Sequence, residues 1–545
     1  MPKVVGLRFS FTAVLIGVTG VCAGQTPNPD LGHSLDAIFQ KWNKPDVPGC
    51  VLGVKHPGAA PLIRSYGSAD LEHELPTSES TVFEAGSVSK QFTAAAILML
   101  AGQGALALTD DVRKYLPELL VYDSPITIEE LLGHTSGLRD WGEVEALAGW
   151  PRSSRIYTLD DALAITARQK SLNYRPGTAY SYTNTGFNLL AIIVARVSKQ
   201  TLADFTHDHL FVPLGMSHTQ WRDDFTRVVK GRAIAYEKGK DGYHEDMPFE
   251  NAYGNGGLLT TVGDLLRWND ALSAGELGPF VTREIVRQTK LENGTAIAYA
   301  RGLFIESYRG VPEISHSGAT AGYRAWLGRY PDQQLSVALL CNASDANTTA
   351  LARAVADQFL PTPTSSSFAG LVTLDAALLE RHVGLYVDRE KGLSLRLTVR
   401  EGALRLPDGS PLTAASATEF TAGARTFRFS GGEHLAVESP DGSVLEYIRM
   451  QPWYPSAKEL ASLAGAYRSD EALATYDVQV RDGRLVMTPV DRRGYSMTLK
   501  PLATDIFEID AMDDGLVRFN RGGAKHVGDL EMSDSRVYSL RFRRQ

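Results

Sequence analysis

At Leu360-Pro361-Thr362-Pro363-Thr364-Ser365-Ser366-Ser367 the chain changes character. A run rich in Pro, Ser and Thr resists both helix and ladder formation and reads as a linker. After it, short stretches alternate polar and apolar residues, as in Leu393-Ser394-Leu395-Arg396-Leu397-Thr398-Val399 and Tyr476-Asp477-Val478-Gln479-Val480. That period of two belongs to half-buried strands. The stretches also repeat one another. Gly384-Leu385-Tyr386 is echoed by Gly465-Ala466-Tyr467, and Val399-Arg400-Glu401-Gly402 by Val480-Arg481-Asp482-Gly483 at the same offset. Ala417-Thr418-Glu419-Phe420 has a looser partner in Ala503-Thr504-Asp505-Ile506-Phe507. An internal duplication predicts two small antiparallel β-barrels, 374–452 and 456–545, separated at Gln451-Pro452-Trp453-Tyr454-Pro455 and preceded by a linker over 361–373.

Residues 30–360 mix both periods. Cys50-Val51-Leu52-Gly53-Val54 and Leu62-Ile63-Arg64-Ser65-Tyr66 flank Pro57-Gly58 and predict a hairpin. Phe92, Ala95, Ala96 and Met99 fall on one helical face, as do Phe187, Leu190, Ala191 and Val194. Strands return over 326–330 and 335–341. A sheet built from both ends of the segment, with helices between, is an α/β arrangement with a helical region. A chain of 545 residues needs more than one core, so this segment and the two barrels make a reasonable partition.

Before this segment, Lys3 and Arg8 precede an uncharged, largely apolar run from Phe9 to Val21, then Cys22-Ala23-Gly24. That order predicts a secretory signal peptide over 1–24, hence an exported, periplasmic or extracellular protein. The run is too short for a comfortable membrane span, and none is expected elsewhere. A net charge of −8 argues against a nucleic-acid surface.

Three short motifs carry chemistry. In Glu84-Ala85-Gly86-Ser87-Val88-Ser89-Lys90, a serine and a lysine stand three residues apart at a helix start, where i and i+3 share a face. A hydroxyl becomes a useful nucleophile only when a base takes its proton, and a close, tuned lysine can do so. Tyr180-Ser181-Tyr182-Thr183-Asn184 offers a tyrosine able to relay a proton and an amide that both donates and accepts. In Ser315-His316-Ser317-Gly318-Ala319, Gly318 lets a strand backbone approach a substrate, and a strand edge beside a helix N-terminus can supply two amides for an oxyanion. Alone, each motif also fits a capped helix, a turn or a polar loop.

In this order, the Ser-x-x-Lys, Tyr-x-Asn and His-x-Gly boxes resemble those of the serine β-lactamase and penicillin-binding superfamily, class C-like (peptidase S12) branch. His134-Thr135-Ser136-Gly137-Leu138, Pro213-Leu214-Gly215-Met216 and Gly256-Gly257-Leu258-Leu259-Thr260-Thr261 look like stretches of the same branch. The resemblance implies a β-lactamase/transpeptidase-like domain over 30–360: an antiparallel sheet flanked by helices, with a helical region. It implies Ser87 as nucleophile, Lys90 and Tyr182 as acid–base groups, Asn184 holding Lys90 and the substrate amide, and an oxyanion site at the amides of Ser87 and Ala319. No cofactor and no metal is expected. The cluster His207-Asp208-His209 reads as a solvated helix end, and His134 as a structural hydrogen-bonding group.

Most members carry lysine where His316 stands; histidine here, with the two trailing barrels, resembles D-aminopeptidase. In that layout a loop of the last barrel closes over the cleft. The candidate loop is Asp510–Gly515, with Asp513 positioned for a substrate ammonium. The implied function is acyl-enzyme hydrolysis of a small peptide, amide or ester, foremost as a D-aminopeptidase. Esterase, weak β-lactamase and D-alanyl-D-alanine carboxypeptidase are the alternatives in the same chemistry, and a non-catalytic relative binding peptide or cell-wall fragments is the alternative outside it. The oligomeric state is not readable. In the implied fold, the strands beginning at Cys50 and ending at Cys341 are antiparallel neighbours, which would allow a disulfide in an oxidising compartment.

Overall fold

The computed structural model describes residues 31–361 and 374–545, apart from 389–390, 408, 424, 440–443, 511, 513 and 523–526. The signal segment 1–24, nearly all of the linker and Asp513 therefore lie outside the described residues. In the first domain the elements that matter are α1 (Leu31–Ile38), β1 (Cys50–Lys55), β2 (Leu62–Tyr66), α2 (Lys90–Gly102), α3 (Trp141–Leu147) and α4 (Asn184–Ser198). They are followed by α5 (Val262–Ala274), β3 (Phe304–Tyr308), β4 (Val311–Thr320), β5 (Tyr323–Tyr330), β6 (Leu335–Cys341) and α6 (Thr348–Ala356).

The six strands form one antiparallel sheet in the order β3-β4-β5-β6-β1-β2, so the chain's beginning and end meet at its centre. Both faces are covered. Leu52, Val54, Val337 and Leu339 pack against Leu35 of α1 and Val355 of α6, while Val51, Ala338 and Leu340 join the core that holds α2, α4 and α5. A strand buried on both faces reads as a continuous apolar run, as Cys50-Val51-Leu52-Gly53-Val54 does.

The helices differ from the one-faced expectation. Phe92, Ala94, Ala95, Ala96, Ile97 and Leu98 of α2 are all fully buried; Met99 and Ala101 are partly covered, and Gly102 at the helix end is exposed. The helix runs through the domain's middle, against α4 and the helices Leu202–Thr206 and Pro279–Ile285, so over residues 90–98 no face is left for water.

The duplication is visible in the structure. Each repeat begins with a short helix, Ala376–Glu380 or Ala457–Leu463, followed by eight sequential antiparallel strands. The Tyr386 hydroxyl donates to the His382 carbonyl at 3.1 Å, and its counterpart Tyr467 to Leu463 at 2.8 Å. Arg449 caps the carbonyls of Arg381 and Val383, and Arg544 caps those of Ser462 and Ala464. The second repeat is a closed barrel. The first is nearly closed: its edge strands Ala403–Arg405 and Thr413–Ala414 form no ladder and are joined through a tight turn and a single bridge, Arg405–Pro411. With two edge strands this short, the ladder has too few residues to zip.

Cys50 and Cys341 are register partners in β1 and β6 and form a disulfide that closes a loop across 291 residues of sequence. Non-reducing peptide mapping should recover the Cys50 and Cys341 peptides linked, and replacing both by serine should lower stability by roughly 2–5 kcal/mol. Two alkylatable thiols in unreduced protein from its native host would remove the bridge.

Candidate active site

Ser87 lies in a single 3-10 turn, Gly86–Ser89, that runs directly into α2. The strand Phe83–Glu84 before it is pinned from below. Arg222 donates to both Glu84 oxygens, at 2.8 and 3.1 Å, with both side chains almost fully buried. Arg222 is also 3.9 Å from Glu250, which pairs with Arg152, so charges alternate along the cleft floor.

The turn faces β4, whose outer neighbour β3 pairs only with residues 311–315. Residues 316–320 thus keep an uncovered edge. Two glycines permit close approach across it. Gly86 sits at φ +50°, and a Cβ there would lie 2.6 Å from the Ala319 amide nitrogen. A Cβ on Gly318 would lie 2.0 Å from the Ala85 carbonyl oxygen and 3.2 Å from the Ser87 nitrogen. The amides of Ser87 and Ala319 are thereby brought to one spot, the arrangement that stabilises an oxyanion.

Lys90 is fully buried. Its Nζ is 3.1 Å from Ser87 Oγ, 2.9 Å from Asn184 Oδ1 and 2.8 Å from the Asn255 carbonyl oxygen. Burial pushes its pKa well below the ordinary lysine value, with Arg536 and Arg152 acting the same way and Asp140 opposing. A neutral amine has two N–H groups and one lone pair. The two carbonyl oxygens can only accept, so they take both N–H groups, and the lone pair is left for the Ser87 hydroxyl. Asn184 is fixed in turn: its backbone N–H donates to Asp140 at 2.6 Å, a carboxylate at the N-terminus of α4.

The buried Tyr182 hydroxyl makes no hydrogen bond of ordinary geometry among the described residues. Burial raises its pKa, while Ser87 and Arg536 act to lower it. His134 lies against its ring, centroids 4.3 Å apart, and accepts from the Thr183 N–H, which is a supporting role. His316 is buried too. Its Nδ1–H donates to the Ser317 carbonyl at 2.6 Å, which leaves Nε2 to accept from the Tyr299 hydroxyl at 3.3 Å. Burial, then Lys90, pull its pKa down to about 3, so this position carries no charge at neutral pH.

Ser87, Tyr182, Asn184, His316, Gly318 and Ala319 line one cleft of about 800 Å³, with Lys90 beneath them. The loop expected to reach it does not line it among its described residues: Met512 packs with the core of the last barrel. Asp513 itself lies outside the described residues. The last barrel instead contributes Arg536 from the Asp534–Ser539 turn. Sequence reasoning also missed Asp140, Glu84, Arg222 and Arg152, because single charged residues at unrelated positions carry no spacing signal. His207-Asp208-His209 is exposed, with His207 bonded to its neighbour Asp208.

Two outcomes follow from this geometry. kcat/KM for a neutral ester should rise with pH through one ionisation below the ordinary lysine value, because only the unprotonated amine can take a proton. His316→Gln should leave that limb in place; a limb that vanishes with it would belong to the imidazole. Gly318→Ala should slow acylation of Ser87 by about 100-fold or more, since the strand must withdraw and take an oxyanion donor with it.

The first domain matches the family model described as Beta-lactamase over residues 35–360. The chain is 30% identical to a D-aminopeptidase of Cereibacter sphaeroides over 83% of this chain and 85% of the relative. It is 28% identical to penicillin-binding protein 4* of Bacillus subtilis, over 63% of this chain and 80% of the relative. Among solved structures, an octameric penicillin-binding protein homologue from Pyrococcus abyssi shares the fold, barrels included. Its TM-score is 0.55 at 19% identity, with 94% of this chain and 99% of the other covered. The catalytic box order, the antiparallel sheet and the match over most of the chain have one common account: this chain belongs to the β-lactamase family of serine hydrolases.

Proposed function

We propose that the chain hydrolyses amide or ester bonds through an acyl-enzyme on Ser87, and that it acts as a D-aminopeptidase. The observation that carries the mechanism is the set of partners around Lys90 Nζ, which leaves its lone pair facing Ser87 Oγ. Oγ attacks the substrate carbonyl carbon as its proton passes to Nζ, and the new oxyanion lies between the amides of Ser87 and Ala319. Tyr182, protonated at rest because burial raises its pKa, gives its proton to the leaving nitrogen or oxygen and is reprotonated from Lys90. Water then repeats the sequence on the ester and returns Ser87.

The uncovered edge of β4 offers backbone donors and acceptors to an extended acyl group. A neutral His316 offers no fixed cation to a substrate carboxylate, which favours substrates other than D-alanyl-D-alanine termini. The kinship with D-aminopeptidases over the barrels as well as the first domain supports a free amino group on the substrate. Asp246, a half-buried carboxylate lining the cleft, is its acceptor. The disulfide supports export to an oxidising compartment.

Intact-mass measurement after an activated ester or a fluorescent penicillin should show one adduct on the wild type and none on Ser87→Ala. On one purified sample, D-amino-acid amides should be turned over faster than their L-forms, short esters or a chromogenic cephalosporin. Equal rates on D- and L-amides would leave a serine hydrolase without the aminopeptidase specificity.

A further inference from the structure

Tyr182 has two basic side chains against its ring. Lys90 Nζ is 4.8 Å from the centroid, and Arg536 Cζ, from the last barrel, is 5.3 Å away. The turn that presents Arg536 lies between the final two strands, Val527–Ser533 and Leu540–Arg544. It is held at both ends. Asp534 accepts the N–H groups of Arg536 and Val537 at 2.7 and 2.8 Å. Asn173 donates to the Arg536 carbonyl and accepts from the Tyr538 N–H, each at 2.9 Å. The buried Arg139 donates twice to the Tyr538 carbonyl, at 3.3 and 3.0 Å. A turn fixed this way presents its middle side chain without further ordering cost at the cleft.

We propose that Arg536 is a positioning residue of the active site, delivered in cis by the C-terminal barrel: its guanidinium holds the Tyr182 ring and supplies a permanent positive charge to the Tyr182–Lys90 pair. The proposal rests on the roles given above to Ser87, Lys90 and Tyr182. The neighbouring charges define why such a group is needed. Lys90 must be uncharged to act as a base, His316 is neutral, and Arg152 is paired with Glu250. Lys90 is charged only while it holds the Ser87 proton, so the permanent positive charge beside the Tyr182 ring comes from Arg536. Arg536 is faced by Asp140 and Glu143, each 3.9 Å from Nη1, and by Asp534 and Tyr182. Lys90 is faced by Arg536, Asp140 and Arg152, and by Tyr182, His134 and His316. Removing Arg536 leaves Asp140 unopposed beside both catalytic groups, which favours a protonated, inactive Lys90.

The test is the pH profile of kcat/KM for a neutral p-nitrophenyl ester, which has no titrating group of its own. Arg536→Gln should lower kcat/KM at pH 7 by about 10- to 100-fold and move the acid limb upward by about half a pH unit or more. Arg536→Lys should bring the limb back, because it restores the charge. An unmoved limb in a folded Arg536→Gln, or a limb equally displaced in both variants, would overturn the proposal. If the glutamine variant does not fold, Arg536→Lys decides: a limb at the wild-type position supports the charge role, and a displaced one overturns it. Ser87→Ala in the same assay keeps the two readings apart. Turnover that survives there removes the active-site assignment, whereas turnover lost there with limbs unmoved in Arg536→Gln removes Arg536 alone.

Discussion

A Cβ atom on Gly318 would lie 2.0 Å from the Ala85 carbonyl oxygen, and one on Gly86 would lie 2.6 Å from the Ala319 nitrogen. The two backbones meet closer than any side chain allows, and the rest of the site takes its position from that contact. The contact joins the sheet to the start of α2, so it fixes Ser87 relative to the strand edge that would hold a substrate. It also aims two amides at one point before any substrate arrives, which is the condition under which such donors stabilise charge without reorganising. The Glu84–Arg222 pair serves the same end. Arg232 and Glu250 stand 3.6 and 3.9 Å from the two partners, so loss of either would leave a buried charge with a more distant counter-ion and without its two hydrogen bonds, directly beneath the Ser87 turn.

Around this contact the polar side chains are closely packed and buried. Lys90, Asn184, His316 and His134 are all buried, and each shift in protonation follows from that burial before any charged neighbour acts. Burial favours the unprotonated form of one amine and keeps one imidazole neutral; it also keeps one phenol protonated. The same low dielectric lets a charge more than 5 Å from the Tyr182 ring matter.

The last barrel is part of this domain's architecture and no loose appendage. Its core runs on into Trp141, Val144 and Leu147 of α3 in one apolar cluster. The Tyr476 hydroxyl donates to the Leu147 carbonyl at 2.8 Å, and Arg139 reaches Glu471 at 2.9 Å. The first barrel instead packs on the second, through Leu385, Val387, Leu502 and Ile506. A duplicated module has thus acquired two different partners. The copy that touches the catalytic domain is the closed one.

Much of this was legible in one dimension. Box order, strand alternation, the hairpin at Pro57-Gly58 and the barrel duplication all depend on residues near one another in sequence, where spacing and period carry information. The Ser87–Lys90 contact follows from helical spacing alone. The pairing of Cys50 with Cys341 needed the fold the boxes imply, and the structure bears it out. The burial of α2 on every face was not legible, because periodicity reports the face a helix hides from water and says nothing when all faces are hidden. Nor was Arg536 legible. Asp510–Gly515 was the natural candidate because it carries carboxylates, yet which hairpin of a barrel points at a cleft is set by how the barrel is rotated on its neighbour. By itself, then, the sequence determined the fold class and the order of the boxes, since both are written in local order. The burial that sets each proton and the barrel residue that joins the site were decided only by tertiary packing, because burial and long-range charge exist only once distant segments are brought together.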